Sequence, residues 1–225
     1  MPGPDLRALR LPSTDALNGR SFTLGDDRAL PIDESWDVVE IATGAFFADV
    51  DLPGHEALTV VLSVSTGWAL VVHQRRDPTV TGRGPAAAHT FTAARIAGCQ
   101  QSGPPPAPTR DLIGRWHRYR YSPGNLYEHI YVSENRFVSH NVATEGTPDR
   151  ADCHPVSYWK VTPGLYLISW REFDSQASMV MAENLHDLRV TGKALHPASD
   201  AESVSIPIGG VILPVTVTFP EEEGS

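Results

Sequence analysis

The chain has 225 residues, 41% hydrophobic and 20% charged, a globular composition with room for one large or two small domains. Its formal net charge of −9 is carried by acidic excess on both sides of residue 110, which disfavours a nucleic-acid or anionic-membrane partner. No run approaches the length of a membrane-spanning helix and residues 1–10 lack the apolar core of a signal peptide, so the expected location is cytoplasmic.

Two cysteines, Cys99 and Cys153, cannot build a disulfide framework or a cysteine-rich zinc site. The 18 glycines and 19 prolines interrupt the chain too often for long helices. In chain order, short runs of β-branched and aromatic residues predict strands over residues 36–41, 45–52, 58–65 and 68–74. After a gap they continue over 115–121, 127–133, 137–142, 156–161, 165–172, 178–182, 188–192, 210–213 and 215–219. Residues 178–187 come nearest to a helical period. The fold class expected is all-β and antiparallel, with a barrel favoured because closure removes exposed edges.

The proline-rich stretch at 101–110 (QSGPPPAPTR) reads as a linker between an N-terminal half, 1–100, and a C-terminal barrel, 111–219, with an acidic tail at 220–225. The two halves look like unequal copies. LNGR at 17–20 resembles LIGR at 112–115, an offset of 95, whereas VEIATGAFFADVD at 39–51 resembles WKVTPGLYLISWR at 159–171, an offset of 120. The difference of 25 residues predicts that the N-terminal copy lacks a hairpin which the C-terminal copy keeps over 127–142. Chemistry tied to that hairpin then belongs to the C-terminal half.

Strand alternation places the candidate side chains. Along RWHRYRY, His117, Tyr119 and Tyr121 share one face; two phenols and an imidazole can hydrogen-bond a carboxylate or oxyanion in an apolar cavity. Along YEHIYV, Tyr127, His129 and Tyr131 share a face. His140 and Val138 share one face of the following strand, opposite Ser139 and Asn141, and His140 is expected to reach the cavity beside His129. Tyr166, Ile168, Trp170 and Glu172 alternate along YLISWRE, so a carboxylate ends a large apolar face, where desolvation suits it to proton transfer. No histidine pair, phosphate-cradling glycine loop or nucleophile elbow is present in the sequence, and no metal site or cofactor is expected. Arg75, Arg76, Arg83 and Arg95 are expected to be exposed.

The strings LPSTDALNGR (11–20), PTRDLIG (108–114), YRYSPGNLYEHIY (119–131) and GLYLISWREF (164–173) resemble the molybdenum cofactor biosynthesis protein F (MoaF) family, from about residue 11 to 215. That resemblance implies a calycin, lipocalin-like β-barrel architecture. The first half is shortened between Phe22 and Trp36 relative to the family, which predicts an incomplete N-terminal barrel. More distantly, residues 112–195 are similar to phenolic acid decarboxylases, single calycin barrels that work without a cofactor. Their Tyr-x-Tyr pair falls on Tyr119 and Tyr121, and their Ser-Trp-x-Glu on Ser169, Trp170, Arg171 and Glu172, with the acid at Glu172. Their intervening arginine is replaced here by Ser139, His140 or Asn141, which puts decarboxylation itself in doubt.

Two functions of different class follow. The first is a cofactor-independent lyase, isomerase or cyclase acting on a small, largely apolar carbonyl or carboxylic compound. In it Tyr119, Tyr121 and Glu172 are catalytic, and His117, His129, Tyr131, His140 and Trp170 bind substrate. The second is a lipocalin-like carrier of a small apolar ligand. A third, accessory work in molybdenum cofactor biosynthesis, rests on the family's name alone. The sequence admits a homodimer.

Overall fold

A computed structural model describes residues 5–25, 28–80, 86–144, 149–197 and 202–215, except for the side chains of residues 28, 143, 144 and 214. The strand expected over 215–219 lies, past Val215, outside these residues, as do Arg83 and the acidic tail. Among the described residues there are strands and turns but no helix. The N-terminal half contains β1 (Arg20–Leu24), β2 (Arg28–Ile32), β3 (Asp37–Ala42), β4 (Ala45–Leu52), β5 (Glu56–Ser63), β6 (Trp68–Arg76) and β7 (Ala87–Arg95). A two-residue strand, β8 (Ala107–Pro108), follows. The C-terminal half contains β9 (Trp116–Ser122), β10 (Asn125–Ser133), β11 (Arg136–Thr144) and β12 (Arg150–Thr162). It continues with β13 (Leu165–Arg171), β14 (Ser178–Asn184), β15 (Arg189–Pro197) and β16 (Ser203–Pro214).

Strands β9 to β16 form an antiparallel meander that closes on itself as an eight-stranded barrel, with β16 pairing back onto β9. Closure leaves no free edge in the barrel wall. β12 is long because its two ends serve different neighbours. Arg150 to Pro155 pair with β11, and Val156 to Thr162 pair with β13. The sharp β12–β13 turn needs Gly164, whose φ is 76° and where any side chain would meet the His186 ring.

The N-terminal half stays open. β3 to β7 make a five-stranded antiparallel sheet, and β1 pairs with β2 as a hairpin tied back by a Leu24–Ile96 bridge. It therefore has one strand fewer than the barrel. One face of the sheet packs with the hairpin around Leu17, Leu30, Phe46 and Leu62. The other face, through Val39, Phe47, Val61 and Leu70, packs on Leu165, Leu167 and Val180 of the barrel wall. Burial on both faces explains why β5 is buried almost throughout.

Several expectations need correction. The strand expected over 178–182 is present as β14 and runs two residues further, while the helical period noted over 178–187 forms no helix, because Met179 and Met181 face the barrel core and Val180 and Ala182 face the N-terminal sheet. β1, β2 and β7 escaped the sequence reading; β7 (AAHTFTAAR) is alanine-rich and lies half exposed at a sheet edge, so it lacks the apolar contrast of a core strand. Arg76 is buried, not exposed, and donates to Gln176 Oε1 at 3.0 Å. Within the proline-rich segment, Ala107 and Pro108 pair with Lys160 and Trp159 at the edge of β12.

Candidate active site

The barrel has one end built by the β9–β10, β11–β12, β13–β14 and β15–β16 connections, and an opposite end built by the β10–β11, β12–β13 and β14–β15 turns. Register sorts the inward side chains between these ends. His117, Tyr119 and Tyr121 rise in that order along β9, and Tyr131, His129 and Tyr127 along β10, where His129 stands opposite His117 and Tyr127 opposite Tyr119. The expected shared faces therefore hold, but the residues divide between a floor and a mouth.

The floor is a closed polar cluster. Tyr131 Oη donates to Glu183 Oε1 at 2.5 Å, Tyr119 Oη donates to the same oxygen, and the two phenol oxygens are 2.5 Å apart. His117 Nδ1 lies 3.3 Å from Glu183 Oε2. Tyr119, Tyr131 and Glu183 are completely shielded from solvent. Burial first, and the Glu183 carboxyl next, push both phenols well above the usual tyrosine range, so both remain protonated donors.

The mouth is a cavity of about 850 Å³, within the size range of small-molecule sites. Tyr121, Tyr127, His129, Trp170 and Glu172 line it, with Met179, Ala194, Ile206 and Ile208 supplying apolar walls. The Tyr121 hydroxyl has only a thioether acceptor, Met181 Sδ at 3.6 Å, and burial holds the phenol protonated. The His129 Nδ1 has no hydrogen-bond partner, and burial pushes this imidazole down to about 3, leaving it neutral near pH 7. It sits among rings, 4.5 Å from Tyr119, 4.8 Å from Phe137 and 5.3 Å from Trp170, centroid to centroid. Glu172 stands at the rim just past β13, accepting from Trp170 Nε1 at 3.3 Å and Ser175 Oγ at 2.5 Å. A side pocket of about 210 Å³ shares Tyr127, Ser139, Glu172 and Ser175 with the cavity and adds Asn141 and Arg150.

The structure thus brings Tyr121, His129, Trp170 and Glu172 together at the cavity. It sets Tyr119, Tyr131 and His117 beneath them. The expectation that His140 reaches the cavity is corrected. β11 pairs Ser139 with His129 and His140 with Glu128, so Ser139 faces inward and His140 outward. There His140 bonds Asp149 Oδ1 at 2.7 Å and Glu128 Oε2 at 3.2 Å, and these carboxylates, Asp149 foremost, hold its pKa above the ordinary histidine value. The alternation was legible; its phase depended on the hairpin register.

Glu183 is the site residue that the sequence reading missed. It follows Met179 and Met181 on one face of SMVMAEN, the same pattern that singled out Glu172, but the strand expected over 178–182 stops one residue short of it. The segment Asp5 to Arg7 at the rim and Arg150 in the side pocket were also missed, since neither belongs to a patterned strand read as facing the cavity.

A family model described as the MoaF C-terminal domain matches residues 106–218, which take in the whole barrel. Protein MoaF of Klebsiella aerogenes is 34% identical over 126 residues, 54% of this chain and 47% of that protein, so the match spans about half the length of that curated relative. A crystal structure of a provisionally named beta-lactamase from Burkholderia vietnamiensis matches 48% of this chain and 100% of its own, at 14% identity and a TM-score of 0.39.

Proposed function

The chain belongs to the MoaF family, and for its barrel we propose cofactor-independent acid–base catalysis on a small, largely apolar carbonyl or carboxylic compound held in the mouth cavity. The carrying observation is that a phenol with no strong acceptor, Tyr121, and a carboxyl group, Glu172, line one apolar cavity. Tyr121 donates to the substrate oxygen that gains negative charge. Glu172 exchanges a proton with the adjacent carbon or leaving group, held in place by Trp170 and Ser175. His129, neutral and buried, orients the substrate through its ring and its unpartnered nitrogen. Tyr119, Tyr131 and His117 act from below by fixing the floor on Glu183.

The alternative is a carrier that binds the same compound class unchanged. It is compatible with the floor, where the hydroxyls of Tyr119 and Tyr131 bond Glu183 rather than a ligand. A role in molybdenum cofactor biosynthesis has the family's name behind it; among the described residues no group of three or more His, Cys, Asp or Glu is placed to hold a metal ion. The deciding experiment incubates excess protein with a panel of apolar ketones, enones and aryl carboxylic acids in deuterium oxide and recovers each by mass spectrometry. Catalysis predicts that a bound compound returns deuterated, isomerised, cyclised or shortened. Binding without change across the panel would establish the carrier.

A further inference from the structure

The segment leading into the N-terminal half lines the cavity with Asp5, Leu6 and Arg7 and is held along the barrel wall as a fixed strap. Gly209 N donates to Leu6 O at 2.9 Å, Leu9 N to Tyr121 O at 3.1 Å, and Arg189 Nη2 to Leu9 O at 2.7 Å. Leu6 packs against the barrel's apolar core. Gly209 is required there, because a Cβ would come within 2.7 Å of Arg10 Cα. These anchors lie on both sides of Arg7 and hold its backbone at the cavity rim.

Arg7 is the only arginine or lysine among the described residues that line the cavity. Its partner is Asp5 Oδ1 at 3.7 Å, and the two side chains are 66% and 58% exposed, so the pair is weak and solvent-screened. Arg150, in the side pocket, differs: it is paired by Asp152 Oδ2 at 2.5 Å and by Asp174. A guanidinium offers a planar fork of donors that matches carboxylate and sulfonate oxygens. On a chain of net charge −9, such a local cation offsets the repulsion that an anionic ligand meets.

We infer that Arg7, presented by the strap, is the specificity residue of the cavity and selects ligands that carry one anionic head on an apolar body. The inference rests on the cavity being the ligand site. An anionic head exchanges for Asp5 on Arg7, while the apolar body lies against Trp170, Met179 and Ile208.

The test uses two fluorescent probes that share one ring system, 1-anilinonaphthalene-8-sulfonate and the uncharged N-phenyl-1-naphthylamine, titrated into the full chain. Arg7→Gln is expected to weaken the sulfonate probe about tenfold, the scale of one charge-assisted pair, and to leave the neutral probe within about twofold. Asp5→Asn is expected to tighten the sulfonate probe and not the neutral one. Equal binding of the sulfonate probe by wild type and Arg7→Gln would overturn the inference while leaving the cavity as a ligand site. Equal weakening of both probes in Arg7→Gln would also overturn it, by making Arg7 a support of the strap. Failure of the wild type to bind either probe would overturn both the cavity reading and the inference.

Discussion

Tyr131 Oη lies 2.5 Å from Glu183 Oε1, on the oxygen that also takes the hydroxyl of Tyr119, at the closed end of an eight-stranded barrel. Two buried donors converging on one acceptor make this end a structural keystone. They also separate it from the mouth, where the Tyr121 hydroxyl meets only a thioether.

Removing the shared acceptor leaves two buried hydroxyls with each other and, for Tyr119, His117 Nδ1 at 3.4 Å. Glu183→Ala is expected to lower unfolding free energy by about 2–4 kcal/mol, and Glu183→Gln by less, since an amide oxygen still accepts. Urea denaturation of the variants measures this. An unchanged midpoint in Glu183→Ala would contradict the keystone role.

The floor and the mouth are expected to respond differently to the same atom deletion. Tyr119→Phe removes a donor from Glu183 and costs about 1–3 kcal/mol of stability. Tyr121→Phe loses only a weak contact to Met181 and costs under about 1 kcal/mol, but weakens binding of carbonyl ligands. Parallel denaturation and ligand titration separate the two effects; a reversed order of stability losses would be inconsistent with the described hydrogen bonds.

Acid sensitivity follows from buried neutral histidines. Burial holds His129 and His89 down to about 3 each, from an ordinary 6.5. Between those values the unfolded chain binds protons that the fold does not, so stability falls as pH drops below about 6.5, by up to roughly 1.4 kcal/mol per pH unit for each group. Asp49, raised to about 6 by burial, and His140, raised by Asp149 and Glu128, work oppositely, because the fold then holds extra protons that offset part of this loss. Denaturation from pH 7 to 4 is expected to show net loss, with a flatter slope in His129→Phe. A wild-type stability that rises on acidification would contradict this balance.

The two halves are joined by a buried ion pair. Lys193, completely shielded on β15, reaches Asp49 of β4 at 3.5 Å, and burial lowers the lysine's pKa. Lys193→Ala strands Asp49 and is expected to cost about 3–5 kcal/mol, whereas Lys193→Met with Asp49→Leu is expected to recover most of that loss. A double variant as unstable as the single one would show that the pair is not what couples these positions.

Part of the barrel was legible in the sequence because β9 alternates inward and outward residues, His117, Tyr119 and Tyr121 against Arg118 and Arg120, whereas β13 and β14 are buried on both faces. The two offsets predict a first half short of one hairpin; the described residues there form a five-stranded open sheet and a two-stranded hairpin, one strand fewer than the barrel. What alternation cannot give is phase across a hairpin and depth along the barrel. The β10–β11 register turned His140 outward, and strand stagger put Tyr119 at the floor and Tyr121 at the mouth. Glu183 lies one residue past the strand expected over 178–182, and Arg7 lies in a segment with no pattern at all.

Proton transfer by Glu172, in a cavity that binds without it, is tested by comparing wild type and Glu172→Gln on any compound that the wild type converts. Turnover in Glu172→Gln is expected to fall by about 100-fold or more, with affinity for that compound and for N-phenyl-1-naphthylamine within about threefold of wild type. Full turnover in Glu172→Gln would contradict it.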